Sequence, residues 1–441
     1  MMSRLWMRIG FGAVAGLMGG LVSAQESSTL SLDEALRLAQ ARNGNVAAAR
    51  LGVRAAQSQT RISRAAFLPS LAPTFRYDTG QSDYVTGGPS FGSSSGKSQN
   101  SVLDVTANYV FLDSGQRQSR YRGAQLSARA DESDSIETLR QTLFSVHRQY
   151  YEVLRNTDLL RVQSAQVQRS ETILRQTEAR VEVGDAARKD ILQARADALN
   201  AQASLLTATN GVSTSRAALK STIGWEADRE LPTLVPVTAK PEDPVLGAPT
   251  FTLDEAFLRG TRQRADLIAA RLRLDASETD VRLARIDGGV TLSLEGSAGR
   301  QFSRSTLDRT NLGLFATIPL YDGQRSRQTI AVRELNRDAQ RERYIQAERA
   351  ARAEIETAYK LVVQNVQRYR ASQAAFQASQ LNYEAALESQ RAGAGNLIEV
   401  ITAQVSLVTA ESNLVQASYD TLIAQVQLRL AVGDPIPGEN P

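Results

Sequence analysis

The chain contains no cysteine. That excludes disulfide staples, thiol nucleophiles, zinc clusters built on thiolates, and a lipid-bearing cysteine anchor. Histidine occurs once, at His147, so a Ser-His-Asp triad has only one imidazole to draw on. His147 lies between Val146 and Arg148 in a heptad-patterned stretch, where it reads as a surface residue of a helix. Aromatic residues make up 6% of the chain, which suits long helices packed through small side chains better than a compact enzyme core. No phosphate loop, dinucleotide fingerprint or nucleophile elbow is present. The composition therefore points away from an enzyme and implies no cofactor. The net charge of +4 comes from 51 basic and 47 acidic residues, which is no basic surface for nucleic acid.

The first 24 residues read as a signal peptide. Arg4 and Arg8 form a charged start, Ile9 to Val22 is apolar and glycine-rich, and Val22-Ser23-Ala24 offers small residues for cleavage. The run falls short of the ~20 residues a spanning helix needs. No later segment is apolar enough for a transmembrane helix, so the expected mature protein is exported.

The rest of the chain is written twice. Ser31-Leu32-Asp33-Glu34-Ala35 returns as Thr252-Leu253-Asp254-Glu255-Ala256. Asp113-Ser114-Gly115-Gln116-Arg117 returns as Asp322-Gly323-Gln324-Arg325, Gly184 as Gly393, Asp190-Ile191 as Glu399-Val400, and Ile223-Gly224 as Val432-Gly433. The first match lies at a larger offset than the others, so the first half carries an extra segment. Residues 25–230 form the first repeat and 251–441 the second. Between them, 231–250 carries Pro232, Pro236, Pro241, Pro244 and Pro249, a density that forbids helix and marks a connector.

Each copy opens with a capping box, Ser31 to Glu34 or Thr252 to Glu255, where hydroxyl and carboxylate satisfy exposed end amides. The expected opening helix runs unbroken to about Phe67 or Ile286. Two strands follow, at about 71–80 and 101–112, then about 289–299 and 310–320. A long helical hairpin completes each copy, over 116–223 and 324–432. Ile136, Leu139, Leu143, Val146, Tyr150 and Val153 alternate steps of three and four, as do Ile355, Tyr359, Val362, Val366 and Tyr369, which is a coiled-coil seam. The strands alternate, less regularly from Leu71 to Thr79 and with Phe315 an exception. Leu103, Val105, Ala107, Tyr109 and Phe111 oppose Asp104, Thr106 and Asn108. Soluble antiparallel sheets alternate too. If these strands cross a membrane, four cannot close a barrel, because membrane barrels begin at about eight. An open edge in lipid leaves amides unpaired, so several chains must share one barrel. The other reading of the helices is an exported periplasmic coiled-coil scaffold without channel activity.

The duplicated Leu-Asp-Glu-Ala openings, the Asp-Ser-Gly-Gln-Arg and Asp-Gly-Gln-Arg segments before the long helices, and the Gly-then-acid turns occur in this order twice. In that order the chain resembles the TolC-type outer-membrane channel proteins over nearly all of its mature length. The resemblance implies a mainly α-helical fold with a small membrane β part. Three chains would contribute four strands each to a 12-stranded barrel continuous with a helical barrel across the periplasm. It also implies the Gram-negative outer membrane and its lipid, a periplasmic adaptor, and an inner-membrane ABC or RND-type pump serving type I protein secretion or multidrug efflux. The connector would lie at the equator.

The resemblance places functional residues at the helical tips. Adaptor contact falls on Val183, Gly184, Asp185 and Ala186 and on Ala392, Gly393, Ala394 and Gly395. In the family two rings of carboxylates, restrained by an Arg, narrow the aperture. Here Glu399 takes the first ring position, Thr402 the second and Gly395 the place of the Arg, with Asp190 as the counterpart of Glu399 in the first copy. One carboxylate ring is thus retained and the other lost. Three Glu399 carboxylates around an axis would favour cations, and divalent block is the corresponding expectation. Asp190 also suits a helix N-cap, and Asn396 to Glu399 a capping box.

Overall fold

The computed structural model describes residues 29–86, 92–237, 248–302 and 306–439. The proposed signal peptide and 238–247 of the connector lie outside the described residues. The first copy comprises strand β1 (Thr29–Leu30), helices α1 (Leu32–Arg42) and α2 (Gly44–Ala65), strands β2 (Ser70–Thr86) and β3 (Gly92–Leu112), and helices α3 (Gln116–Glu182) and α4 (Arg188–Ile223). After the short strand β4 (Thr233–Leu234) come α5 (Leu253–Gln263), α6 (Ala265–Ile286), β5 (Thr291–Phe302), β6 (Thr306–Thr317), α7 (Arg325–Arg391) and α8 (Leu397–Val432). The duplication is metrically exact in the helices. Both α3 and α7 have 67 residues, and both α4 and α8 have 36. The extra length of the first copy lies in its hairpin, where β2 and β3 have 17 and 21 residues against 12 each in β5 and β6.

Each expected opening helix is two helices. Asn43 is extended (φ −67°, ψ 126°). Its Oδ1 accepts from the amides of Asn45 and Val46 to start α2, while its Nδ2 donates to the Thr222 carbonyl at 2.8 Å. Arg264 breaks the second copy at the same place. Its buried guanidinium bonds Asp266, Glu354 and the Ala431 carbonyl. No proline marks either break; tertiary hydrogen bonds make them. Gly224 and Gly433, at the ends of α4 and α8, sit in the left-handed region against these breaks. A Cβ on Gly224 would stand 2.8 Å from the Arg42 carbonyl oxygen, and one on Gly433 3.0 Å from the Arg264 amide.

The four long strands form one antiparallel sheet in the order β2-β3-β5-β6. The register sets Phe75 opposite Leu103, Val105 opposite Ala298, and Leu294 opposite Leu314. One face is therefore apolar, and it is open: Phe75 is 68% exposed and Leu312 75%. The other face is polar, with Asn108 donating to Glu295. Among the described residues β2 and β6 are the free edges of this sheet.

The main core sits where the helix breaks, β1, β4 and the C-terminal segment meet. β1 and β4 pair in parallel. Tyr150 Oη donates to the carbonyls of Leu30 (3.0 Å) and Val235 (2.8 Å), around Leu143, Val146, Leu219, Ile223 and Ile436. Burial pushes the Tyr150 phenol up to about 12. His147 is here too, 1% exposed. The surface position expected for it is wrong because the chain after α8 folds back over α3. Its Nε2 lies 3.1 Å from the Pro437 carbonyl, which fixes Nε2–H as donor and leaves a buried Nδ1 with no partner among the described residues. Protonation would place a charge there. Burial therefore holds the His147 pKa below 6.5, and Arg429 adds to this, against the pull of the Pro437 carbonyl and Asp33.

Below about pH 6.5 the unfolded chain takes up a proton that the folded chain resists. This contribution to stability is full above that value and is lost as pH falls beneath it. The difference between thermal melting at about pH 7.5 and about pH 5 should shrink in His147→Gln, which keeps a donor to Pro437 without the titration. An unchanged difference would remove His147 from the acid response.

Candidate functional site at the helical tips

The ends of α3 and α7 are built alike. Val183 closes α3 and Gly184 follows at φ +83°. The Asp185 amide donates to the Arg180 carbonyl (2.8 Å) and the Gly184 amide to Val181 (3.1 Å). Ala392, Gly393 (φ +77°) and Ala394 repeat this pattern onto Ser389 (2.9 Å) and Gln390 (3.1 Å). This pair of bonds satisfies the last helical carbonyls and needs a left-handed residue between them, which is why glycine stands there. The turns differ in side chains. In the first, Arg180 Nε and Asp185 Oδ2 are 2.9 Å apart, an exposed pair worth ~0–1 kcal/mol. Val183 projects into solvent, and Ala186 precedes α4. The second offers Ala392, Gly393, Ala394 and Gly395, and Gly395 lies so close to Ser389 that a Cβ would stand 2.9 Å from its Oγ.

Asp190 is not the N-cap of α4. Ala187 occupies that position, and the half-buried Asp190 sits in the first turn, where the positive helix end favours it. Glu399 holds the equivalent place in α8. Asn396 Oδ1 accepts from the Glu399 amide (2.9 Å), and Asn396 Nδ2 donates to the Glu399 carboxylate (3.2 Å). The carboxylate thus meets the Asn396 side chain rather than its backbone amide. Glu399 and Thr402 are both exposed, three residues apart and so on one face of the helix. Just above, Ile173, Ala194, Leu397 and Val400 form an apolar cluster, flanked by Leu174, Tyr383 and Leu387, that joins the two hairpins. The cluster thus joins the start of α8 to α3 and to the second turn of α4. Sequence reasoning passed over Arg180, Ser389 and this cluster. Their only advance signal is position relative to the glycines. Among the described residues no group of three or more His, Asp or Glu is placed to hold a metal. No helix there is long and apolar enough to cross a membrane.

The sequence pattern of the outer membrane efflux protein family matches residues 35–225 and 261–434. The chain belongs to the outer membrane efflux protein family. Outer membrane protein TolC of Vibrio cholerae serotype O1 is 26% identical over 397 residues, covering 84% of this chain and 83% of that one. Outer membrane efflux protein BepC of Brucella suis biovar 1 is 22% identical, covering 95% and 88%. The crystal structure of outer membrane protein VceC from Vibrio cholerae superposes with a TM-score of 0.76 at 19% identity, over 91% of this chain and 96% of that one. As a member of the efflux family the protein is an outer-membrane channel reaching into the periplasm, and it is not an enzyme. Both matched stretches of the family pattern cover the tips: the first includes Gly184 and Asp190, the second Gly393, Glu399 and Thr402.

Gly393→Ala should cost the second tip ~1–2 kcal/mol, the penalty for an L-residue in the left-handed region. Faster amide hydrogen exchange confined to residues near 389–396 would register it. Unchanged protection would show that the turn can adopt another closure.

Proposed function

We propose that three copies of this chain form a closed tunnel through which substrates of an inner-membrane pump leave the cell, delivered by a periplasmic adaptor docked on the tips. The observation that carries this reading is a four-stranded sheet with an exposed apolar face and two free edges, tied to helices of ~100 Å. Lipid covers the apolar face but cannot satisfy the edges. Pairing β6 of one chain with β2 of the next resolves them, and three chains make a 12-stranded barrel. A periplasmic scaffold would have no use for such a face.

The helices support the same closure. On α4, Leu192, Leu199 and Leu206 form an exposed stripe, 59–71% open. Their counterparts on α8 are Ile401, Val408 and Val415, and these are partly buried within the chain. Leu51 and Ile62 on α2 are likewise exposed, whereas Leu272 and Leu283 on α6 are partly covered. A neighbouring second repeat would bury the first-repeat stripes as the chain's own first repeat buries those of α6 and α8. In the closed ring Glu399 and Thr402 line the aperture with Asp190 nearby, and Val183 to Ala186 and Ala392 to Gly395 meet the adaptor. The cargo is the pump's, small molecules or polypeptides.

Reconstituted in a planar bilayer, the protein should conduct as a trimer. Millimolar divalent cation on the tip side should reduce the current, and Glu399→Gln should lift that block. Photo-crosslinkers at Ala186 or Ala394 should capture an adaptor in the native envelope. Conductance blind to divalent ions in both proteins would remove Glu399 from the aperture. Capture of only lipid or the same chain would remove the tips from adaptor docking.

A further inference from the structure

One contact has its residues in both copies but is completed only once within the chain. Arg140, on α3, holds the segment that follows α8: its Nε lies 2.8 Å from Glu439 Oε1, and its Nη1 donates to the Gly433 carbonyl at 3.0 Å. All three residues have like-typed counterparts in the other copy. Arg140 corresponds to Arg349 on α7, Gly433 to Gly224, and Glu439 to Glu230. Gly224 and Gly433 share the left-handed conformation and the seat against a helix break. The surrounding cation is repeated as well, because Lys220 stands where Arg429 does. Yet Arg349 and Glu230 are exposed, and among the described residues neither forms an ion pair, while the Arg140 and Glu439 side chains are only 11% and 14% open.

We infer that Arg349 of one protomer grips the next, pairing with the Glu230 carboxylate and the Gly224 carbonyl as Arg140 does within the chain. The inference rests on the closed assembly proposed above and adds the contact that fixes its register at the equator. In the chain, α3 of the first copy faces the end of the second. In a ring, α7 of the second copy faces the end of the next chain's first copy. Not every pair is carried over. Asp134 and Arg273 pair within the chain, but their counterparts are Arg343 and Gly52, which cannot. The Arg-Glu-Gly set is thus retained where another contact was let go. Glu230 borders an open cavity of about 540 Å³ beside Arg216, Lys220 and Trp225, which leaves room for a guanidinium to enter. Arg216 is engaged with the Leu231 carbonyl, and Lys220 reaches the Ala227 carbonyl at 3.5 Å, so neither consumes the carboxylate. Built like the largely buried Arg140–Glu439 pair, such a contact resembles the charge-assisted pairs whose truncation weakens an interface strongly.

The absence of native cysteine makes the test clean. Two differently tagged full-length chains are co-expressed, one carrying Glu230→Cys and the other Arg349→Cys, and the membranes are treated with a short bismaleimide. A covalent dimer bearing both tags is expected, absent when either cysteine is omitted. In separate proteins, Glu230→Arg and Arg349→Glu should each lower the temperature at which the trimer dissociates in detergent, and the double exchange should restore most of the loss. Trimers that give no mixed-tag product, or a double variant no better than the singles, would overturn the contact and leave the ring standing. A protein that is monomeric by mass in detergent and in native membranes would overturn the ring as well.

Discussion

A backbone amide in hydrocarbon has no water to bond, and the rest of this molecule answers to that constraint. Four strands with an apolar outer face cannot stand alone in lipid, because their edge strands β2 and β6 would each leave a row of donors and acceptors unpaired. In the closed assembly proposed above, other copies complete the sheet. The helices run on from the strand ends, so whatever closes the sheet also sets the spacing of the helical wall. The exposed leucines at seven-residue intervals on α4 fit that reading: in the proposed ring another copy covers them.

The duplication, the length of the helices and the turn glycines were legible in the sequence because each rests on local chemistry. The 3.6-residue period, the cost of a side chain at positive φ and the capping residues act over a few positions. What escaped was made by contacts distant in sequence. Asn43 and Arg264 break their helices with bonds to Thr222 and Ala431; Asn43-Gly44 carries a local turn signal, whereas nothing in the local composition distinguishes Arg264 from helix interior. His147 looked exposed because it lies one step off the Leu143-Val146-Tyr150 seam, next to Arg148; the segment that covers it lies nearly three hundred residues on, at Pro437. The pairing of Thr29 and Leu30 with Thr233 and Leu234 has no signal of its own, since two-residue strands carry no period.

At the tips the same division holds. Gly184 and Gly393 could be placed from sequence because a left-handed turn between two helices needs them. Arg180 and Ser389 could not, although they accept the closing bonds, because any residue supplies a carbonyl. The candidate aperture residues are a different case. An aperture has an axis, and an axis belongs to an assembly, so the surroundings of Glu399 in one chain are those of a helix start: a capping Asn396 and a carboxylate in the first turn. The same carboxylate can serve both purposes, since the helix end that favours it also presents it at the extremity of the molecule.

Helices packed through alanine and serine meet on smooth surfaces, and smooth surfaces slide. Ala194, Ala198, Ala201, Ala403, Ala410 and Ala417 are all buried along α4 and α8, and contacts of this kind distinguish poorly between one axial register and the next. Polar groups remove that ambiguity. Ser170 on α3 accepts from Gln404 on α8 (2.8 Å) and donates to Asp197 on α4 (2.6 Å), so one hydroxyl ties three helices. Fifteen residues on, Tyr419 Oη donates to Asp158 at 2.7 Å, and the next residue, Asp420, receives Arg155 and Asn365 from two different helices. Each neutral bond adds only ~1 kcal/mol net. A slip of one turn would break all of them together and leave several buried donors and acceptors without partners, at ~1–3 kcal/mol apiece. The apolar seam thus supplies the cohesion of the helical wall. These few polar pins set its register, and the register decides at what height Gly184, Gly393 and Glu399 stand at the far end.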